Sequence, residues 1–442
     1  MAATFKGGYH VDDHKSLTNA KPTVLLDGSD VHIFPLRQHI GAPLTPCVTV
    51  GDYVYVGQKL ADSDQFVSAP VHSSVSGTVI DIKQHIHDSG TMIASVFVEN
   101  DRKYEVYKGC VPHDYRNMSK ENVLELIHDA GIVGMGGAGF PTHVKLQPNT
   151  KVTHVLINGA ECEPYITSDH RYMLEEPEKI IYGLKVCMYV LGLSDGYIGI
   201  ETNKQDGMES LKNSSEFNEH IHIVPLKTKY PQGAEKQLIK AITGRNVPAG
   251  KLPADAGCVV INATTAVMIS ELFKTGIPPV IKNVTVSGDA IKNPSNFKVR
   301  IGTPVKVLIE KAGGFVSEPQ KIISGGPMMG ITQYNIDYPV TKTTSSVLAM
   351  IKAPKTYDED APCIRCGRCV SHCPMHLMPY KIADCSKKGD VDTAKDYNAL
   401  ECIECGLCSY ICPANKNLLQ FIRMIKPDVM KKVRGEAQKN GK

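Results

Sequence analysis

The sequence contains no apolar run approaching the ~18 residues that a membrane-crossing helix requires, which excludes a transmembrane span. Its opening, Met1 to Gly8, lacks the apolar core of a secretory signal, so the protein is expected to be made and kept in the cytoplasm. Excess charge of one sign is lacking too. The balance of 49 Lys and Arg against 46 Asp and Glu leaves +3, too little to argue for a nucleic-acid partner. Where thiols stay reduced, disulfides are not expected, and clustered cysteines read as metal ligands instead.

A single core seldom grows past ~250–300 residues, so 442 residues imply two to four domains. A hydrophobic share of 42% is that of an ordinary globular chain, not a disordered one. The charge is unevenly spread. From Pro413 to Lys442, eight Lys and Arg face two Asp and Glu, so the tail is +6 and the remainder −3. Such a tail can touch an anionic membrane surface or an acidic partner, although a solvated, frayed end is the simpler reading.

Residues 1–35 are polar and read as irregular. From 36 to 100, short β-branched runs are split by Gly, Pro and Asp, as in 51–58 and 69–80, which predicts a small β-barrel or sandwich. From 118 to 275, strands alternate with helices: a strand over 152–157, a helix over 177–191, a strand from Ile198, a helix over 234–243 and a strand over 258–261. That alternation predicts an α/β layer fold. Residues 276–350 turn β-rich again around one short helix at 304–312, which suggests a β-grasp module. Lys352 to Asp360 reads as a polar linker, with Asp358 to Asp360 solvated. The remainder, 355–442, is a helical cysteine-bearing domain. Its last helix places Leu418, Phe421, Ile422 and Ile425 on one face, and Pro427 is expected to interrupt it.

Of 14 cysteines, eight form two C-x₂-C-x₂-C-x₃-C-P runs: Cys363, Cys366, Cys369, Cys373 with Pro374, and Cys402, Cys405, Cys408, Cys412 with Pro413. Two-residue gaps let one loop present three thiolates to one face of a [4Fe–4S] cubane. In two-cluster ferredoxins the fourth cysteine ligates the other cluster. One cluster is therefore assigned to Cys363, Cys366, Cys369 and Cys412, the other to Cys402, Cys405, Cys408 and Cys373. A zinc site closes with four ligands and needs no further spaced cysteine followed by proline, twice over. Gly367 and Gly406 fit tight loops whose backbone N–H groups face cluster sulfur. Cys47, Cys110, Cys162, Cys187, Cys258 and Cys385 are scattered and mostly read as small buried hydrophobes.

Residues 134–143 are glycine-rich, with Lys145 soon after. Such a loop lets backbone N–H groups approach a phosphate. It does not follow a strand as the dinucleotide fingerprint requires, and it lacks the G-K-[ST] of a P-loop. Alone, it reads equally well as a tight turn. At the end of an apolar strand, Asn158, Glu161 and Glu163 suit hydroxyls and the edges of a flavin ring, or form a polar strand-to-loop turn. His72, His143, His372 and His376 read as structural.

Together these segments resemble the NADH-binding flavoprotein subunit of respiratory complex I. More closely, with a His after Phe140-Pro141-Thr142, with Phe5-Lys6-Gly7-Gly8, and with Ala69-Pro70-Val71-His72, they resemble the C-subunit family of the Rnf electron-transport complex. The resemblance covers nearly the whole chain. It implies a multidomain α+β architecture: a barrel-sandwich domain (36–100) of the biotinyl and lipoyl type without a lysine at Ala61 to Phe66, a Rossmann-like FMN/NADH domain (118–275), a soluble-ligand-binding β-grasp domain (276–350) and a two-[4Fe–4S] ferredoxin-like domain (355–442). It implies that Gly134, Gly136 and Gly137 line the flavin and nucleotide cleft, that Phe140 stacks near adenine, and that Lys145 contacts FMN. Asn158, Glu161 and Glu163 match the segment that holds FMN and nicotinamide nucleotide. Tyr230, Gly233 and Glu235 match a second segment, and Asn262, Ala263 and Thr264 a third. Met135, Ala160, Cys162, Ala234 and Ala263 depart from the complex I pattern, where Arg, Asp, Ser, Glu and Asn stand. Each hydrogen bond so lost is worth about 0.5–1.5 kcal/mol, which lowers the expected FMN or NADH affinity.

The implied function is that of the NAD(H)-handling subunit of an ion-translocating ferredoxin:NAD⁺ oxidoreductase, peripheral on the cytoplasmic side of the cell membrane. It would exchange hydride between NAD(H) and FMN and relay single electrons through two clusters, receiving them from ferredoxin through partner subunits. Two alternatives stand beside it: a cobalamin reductase of the propanediol-utilisation type, and a non-catalytic iron–sulfur docking subunit. The sodium-pumping NADH:quinone reductase A subunit is a more distant resemblance and lacks the cysteine runs.

Overall fold

The computed structural model describes residues 2–352 and 362–440. The linker stretch beyond Lys352, including Asp358 to Asp360, lies outside the described residues.

The first domain is a β-sandwich. Strands Val31–Pro35, Met92–Asn100, Gly77–Ile86 and Tyr53–Val54 form one sheet, faced by Thr45–Pro46, Lys59–Asp62 and Val71–His72. Alternate residues Phe34, Leu60, Val79, Val96 and Val98 point between the sheets. The sandwich begins at Val31, ahead of the residue 36 expected, because Val31–Pro35 pairs antiparallel with Ser95–Glu99. The hairpin Gly77–Asn100 reaches beyond the sandwich.

The α/β domain holds four parallel strands in the order Ile221–Leu226, Gly196–Glu201, His154–Gly159, Cys258–Asn262. The chain steps outward through three strands, then returns to the other side of the first. Strand order therefore reverses between His154–Gly159 and Cys258–Asn262, and a ligand crevice opens outside the C-terminal ends of the strands at such a reversal. Helix Pro177–Leu191 begins with proline at its first position and ends at Gly192 in the left-handed region. Helix Ala263–Thr275 is capped by Asn262, whose side chain accepts from the Thr265 N–H. The two helices pack unusually close at Gly183, where a Cβ would lie 2.0 Å from the Ala266 carbonyl oxygen.

The β-grasp sheet has the order Val24–Leu25, Ser295–Arg300, Ile281–Ser287, Ser346–Met350, Lys321–Ser324, Ile331–Gln333, with helix Val305–Lys311 packed on its apolar face. Its first strand comes from the N-terminal segment, which is not irregular throughout. Residues 3–25 run as a strap over three domains. Ala3 bridges Leu226, the Gly8 N–H donates to the His372 carbonyl at 3.0 Å, Tyr9 bridges Tyr230, and Val24 pairs with Phe297.

In the last domain, Pro379–Lys388 packs on Leu418–Asn440 around Ile382, Ile422, Ile425 and Val429. The final helix continues through Pro427 instead of breaking there. Apolar contacts on both sides of the proline, at Ile425 and Val429, offset the ~3 kcal/mol a helical proline costs. Phe421 turns from that face to line the first cysteine quartet. The paired cysteine runs repeat in backbone as well as sequence. Arg365 and Glu404, Gly367 and Gly406, and His376 and Asn415 all have positive φ, each pair 39 residues apart (404 − 365, 406 − 367, 415 − 376).

Replacing Gly183 by Ala should cost about 1–3 kcal/mol of stability through overpacking, read as a lower urea midpoint, although alanine is ordinarily the better helix former. An unchanged or raised midpoint would show that the two helices are not held at this spacing.

Candidate nucleotide cleft and metal centres

A cleft of about 960 Å³ opens at the strand-order reversal of the α/β domain. All four domains wall it. The α/β domain supplies the floor, the sandwich supplies Arg37 to His39 and the hairpin tip His87 to Ser89, the β-grasp domain supplies Lys282, Asn283 and the loop 324–326, and the cluster domain supplies Ile403.

Most of the residues singled out in the sequence meet here. Gly136, Gly137, Asn158, Glu161, Glu163, Tyr230, Gly233, Glu235, Asn262 and Thr264 all line the cleft. A Cβ at Gly136 would strike the Asn262 amide at 2.3 Å, whereas one at Gly137 meets nothing within 4 Å and would point into open space. Asn158 donates through Nδ2 to the Gly233 carbonyl at 2.7 Å, tying the strand end to the 230–235 loop. Gly134, Phe140 and Lys145 do not reach the cleft wall. The Gly134 N–H donates to the Phe140 carbonyl at 2.9 Å, closing the glycine turn on itself, and Lys145 folds back to Glu235 (2.9 Å) and the Val260 carbonyl (3.2 Å).

The acidic segment 161–163 is held from several sides. The Glu161 carboxylate accepts the Asp169 N–H at 2.6 Å and the His170 N–H at 3.3 Å, at the start of helix Ser168–Glu175. Glu163 accepts the Met328 and Met329 N–H groups at 3.1 and 2.9 Å, latching the β-grasp loop. Burial pushes both carboxyls up to about 7. Lys15 of the N-terminal strap, 4% exposed, donates to the Glu163 carbonyl at 2.9 Å and to the Ile166 carbonyl, with its ammonium 4.0 Å from Glu161. Lys204 braces the same turn through the Ala160 carbonyl at 2.7 Å. Cys162 is no inert core thiol: its Sγ accepts the Gly233 N–H at 3.2 Å on the cleft wall. Of the other scattered cysteines, Cys187, Cys258 and Cys385 are buried, Cys110 is half-buried and Cys47 is exposed.

Four cysteines, Cys363, Cys366, Cys369 and Cys412, line one cavity of about 840 Å³. They are the cross-wired set: three from the first run, one from the second. Cys363 and Cys366 are exposed. The complementary set, Cys373, Cys402, Cys405 and Cys408, is gathered more deeply, each within electrostatic reach of the others. Among the described residues no three His, Cys, Asp or Glu converge on one point as a single ion requires. A quartet spread around a cavity suits a multi-iron cubane better than a mononuclear zinc. The inner set adjoins the cleft. The Tyr230 hydroxyl donates to the Cys405 carbonyl at 2.7 Å, and a Cβ at Gly406 would sit 2.8 Å from the Met328 carbonyl oxygen.

Sequence reading missed Asp169, Lys282, Asn283 and Lys15. Asp169 accepts from Asn262 Nδ2 at 2.7 Å and Thr264 Oγ1 at 2.5 Å. The Asn283 amide, 1% exposed, has neither oxygen nor nitrogen hydrogen-bonded. An orphaned amide, open space beside Gly137 and a strand-order reversal fit a nucleotide cofactor. No local pattern marks these four residues: Asp169 meets partners more than ninety residues along its own domain, and Lys282, Asn283 and Lys15 reach the cleft from other segments.

Sequence comparison matches residues 3–103 to the RnfC barrel sandwich hybrid domain and 127–271 to the Nuo51 FMN-binding domain. Residues 283–332 match the SLBB domain and 355–413 the 4Fe-4S dicluster domain. Among curated relatives, the C subunit of the Na⁺-translocating ferredoxin:NAD⁺ oxidoreductase complex of Acetobacterium woodii is 46% identical, covering 97% of each chain. The C subunit of the proton-translocating complex of Clostridium ljungdahlii is 45% identical over 99% of this chain and 96% of its own. The C subunit of the ion-translocating oxidoreductase complex of Rhodobacter capsulatus is 39% identical over 96% and 82%. Among solved structures, an NAD⁺-reducing [NiFe]-hydrogenase in the H₂-reduced state aligns with a TM-score of 0.50 and 15% identity over 75% of this chain and 68% of that one, a likeness of fold alone. Among the described residues no helix is long and apolar enough to cross a membrane. With its four domains in this order and 45–46% identity over almost its full length, the chain belongs to the C-subunit family of ion-translocating ferredoxin:NAD⁺ oxidoreductase complexes.

Proposed function

We propose that this chain is the NAD(H)-handling subunit of such a complex, held peripherally on the cytoplasmic side of the membrane by partner subunits that exchange electrons with ferredoxin. The observation that carries the reading is the contact between cleft and inner cysteine quartet: Tyr230 lines the first and hydrogen-bonds the Cys405 carbonyl of the second. When bound, FMN converts a two-electron hydride couple into single electrons that [4Fe–4S] clusters can carry. The protein's own residues bind and orient. Gly136 and Gly137 leave room for close backbone approach, Asn158 and Glu161 present polar edges, and Asn262 and Thr264 hold Asp169 at the floor. Cys373, Cys402, Cys405 and Cys408 would hold the inner cluster. Cys363, Cys366, Cys369 and Cys412 would hold the outer one, where exposed Cys363 and Cys366 offer an exit to a partner. The basic tail from Pro413 to Lys442, with a net charge of +6, is a second candidate contact with that partner.

Anaerobically purified protein reconstituted with FMN should oxidise NADH with ferricyanide as acceptor; no turnover would favour the docking-subunit reading. It should carry about eight irons. Cys412→Ser should lose the outer cluster and keep the inner, and Cys373→Ser the reverse, read from iron content and the EPR spectrum after dithionite. The opposite pairing of losses would mean that each run closes its own cluster.

Glu163 gives a pH signature. Its carboxyl stands at about 7 when folded, above the ordinary 4.5, mainly through burial. A group that binds more protons folded than unfolded contributes stability that is full below about 4.5 and is lost as pH rises through about 7. Relative to wild type, Glu163→Gln should therefore gain stability steadily across that window in urea titrations. A constant difference would show that Glu163 titrates normally.

A further inference from the structure

The β-grasp strand Ile281–Ser287 brings two buried polar residues to the cleft wall whose hydrogen-bonding capacity the fold does not exhaust. Lys282 is 1% exposed and is held by backbone carbonyls. Its ammonium donates to the Lys342 carbonyl at 2.8 Å and the Met135 carbonyl at 3.3 Å, leaving the third of its donors without a partner in those bonds. Asn283, also 1% exposed, has both amide atoms unsatisfied. A buried lysine without a carboxylate and a buried amide without a partner are each costly, and native chains keep such groups where a ligand completes them.

What lies opposite is suited to an anion. Lys282 touches the glycine loop at Met135, whose N–H in turn donates to Thr265 Oγ1 at 2.9 Å in the first turn of the 13-residue helix Ala263–Thr275. That helix end carries partial positive charge. Gly136 and Gly137 follow directly, and the space beside Gly137 is open. Two acids face Lys282 across the cleft, Asp88 at the hairpin tip and, with the stronger pull, Asp169. Its oxygens are engaged by Asn262 and Thr264, and it forms no ion pair with Lys282. Burial pushes the Lys282 ammonium down to about 7, and a bound dianion beside it would restore its charge.

We propose that Lys282 and Asn283 hold a phosphate of the bound nucleotide against the Gly136–Gly137 loop, so that the β-grasp domain is part of the cofactor site and not a spacer. The inference rests on the reading of this cleft as the nucleotide site. The phosphate can be that of FMN or the pyrophosphate of NADH, and the two are separable.

The test is Lys282→Met in the full chain, with Asn283→Ala as the second variant should the first fold poorly. Apoprotein is titrated with FMN and with riboflavin by flavin fluorescence, and with NADH and reduced nicotinamide riboside by calorimetry. If the phosphate is that of FMN, the preference for FMN over riboflavin falls on the order of tenfold while riboflavin affinity is nearly unchanged, as expected for one charged hydrogen bond. If it is that of the dinucleotide, the same fall appears in the preference for NADH over the riboside. Apoprotein melting should stay level or rise, since an apolar chain replaces a buried cation, and that outcome separates a binding role from a structural one. Wild-type affinity for these nucleotides with both preferences intact in the variants overturns the inference alone. Wild-type protein that binds neither FMN nor NADH overturns the nucleotide reading, and this inference with it.

Discussion

The arrangement turns on the hydrogen bond from the Tyr230 hydroxyl to the Cys405 carbonyl, 2.7 Å long and almost wholly removed from solvent. It fixes the cysteine loop of the last domain to the wall of the cleft built by the second. Around it pack Val11 of the strap, Cys162 of the acidic segment, Met328 of the β-grasp loop, and Ile403 and Leu407 of the cysteine loop. Electron transfer falls off steeply with distance, so a redox chain needs its centres held rigidly. Apolar packing around one buried, directional bond supplies that rigidity.

The same junctions concentrate buried charge. Lys15, Lys204, Lys282 and Lys342 are each no more than 4% exposed, and much of their solvation comes from backbone carbonyls rather than carboxylates. Lys342 reaches from the β-grasp domain to the carbonyls of Pro70 in the sandwich and Gly131 in the α/β domain, so one ammonium joins three domains. Oxygen dipoles at domain edges, where strand ends leave carbonyls without ladder partners, replace water for these ions. Removing either side of such a contact would strand a polar group, which makes the domain arrangement specific as well as stable.

What could be read from the sequence followed the range of the forces involved. Cysteine spacing is a local code, and the quartet of Cys363, Cys366, Cys369 and Cys412 around one cavity was legible from it. Helix Pro177–Leu191 was legible because proline, periodicity and glycine coincide within fifteen residues. The strand ends at Asn158 and Asn262 were legible through resemblance. For Phe140 and Lys145 the resemblance implied contacts with the nucleotide, whereas the bonds they make here, through the glycine turn and to Glu235, carried no local signal. Pro427 was read as a break because propensity was weighed without the packing at Val429. Asp169, Lys282 and Asn283 carried no signal: Asp169 meets Thr264 ninety-five residues along the chain, Lys282 reaches Met135 on another domain, and the Asn283 amide has no partner that a local pattern could reveal.

The N-terminal strap has a bearing on biogenesis. Ala3 needs the strand ending at Leu226, and Gly8 needs the carbonyl of His372. Residues translated early therefore find their seats only after segments far along the chain have left the ribosome. Lys15 in turn finds its carbonyls only once the turn at 160–166 has been made. Vectorial synthesis thus defers the last seat of the strap, at His372, until the iron-binding domain has emerged.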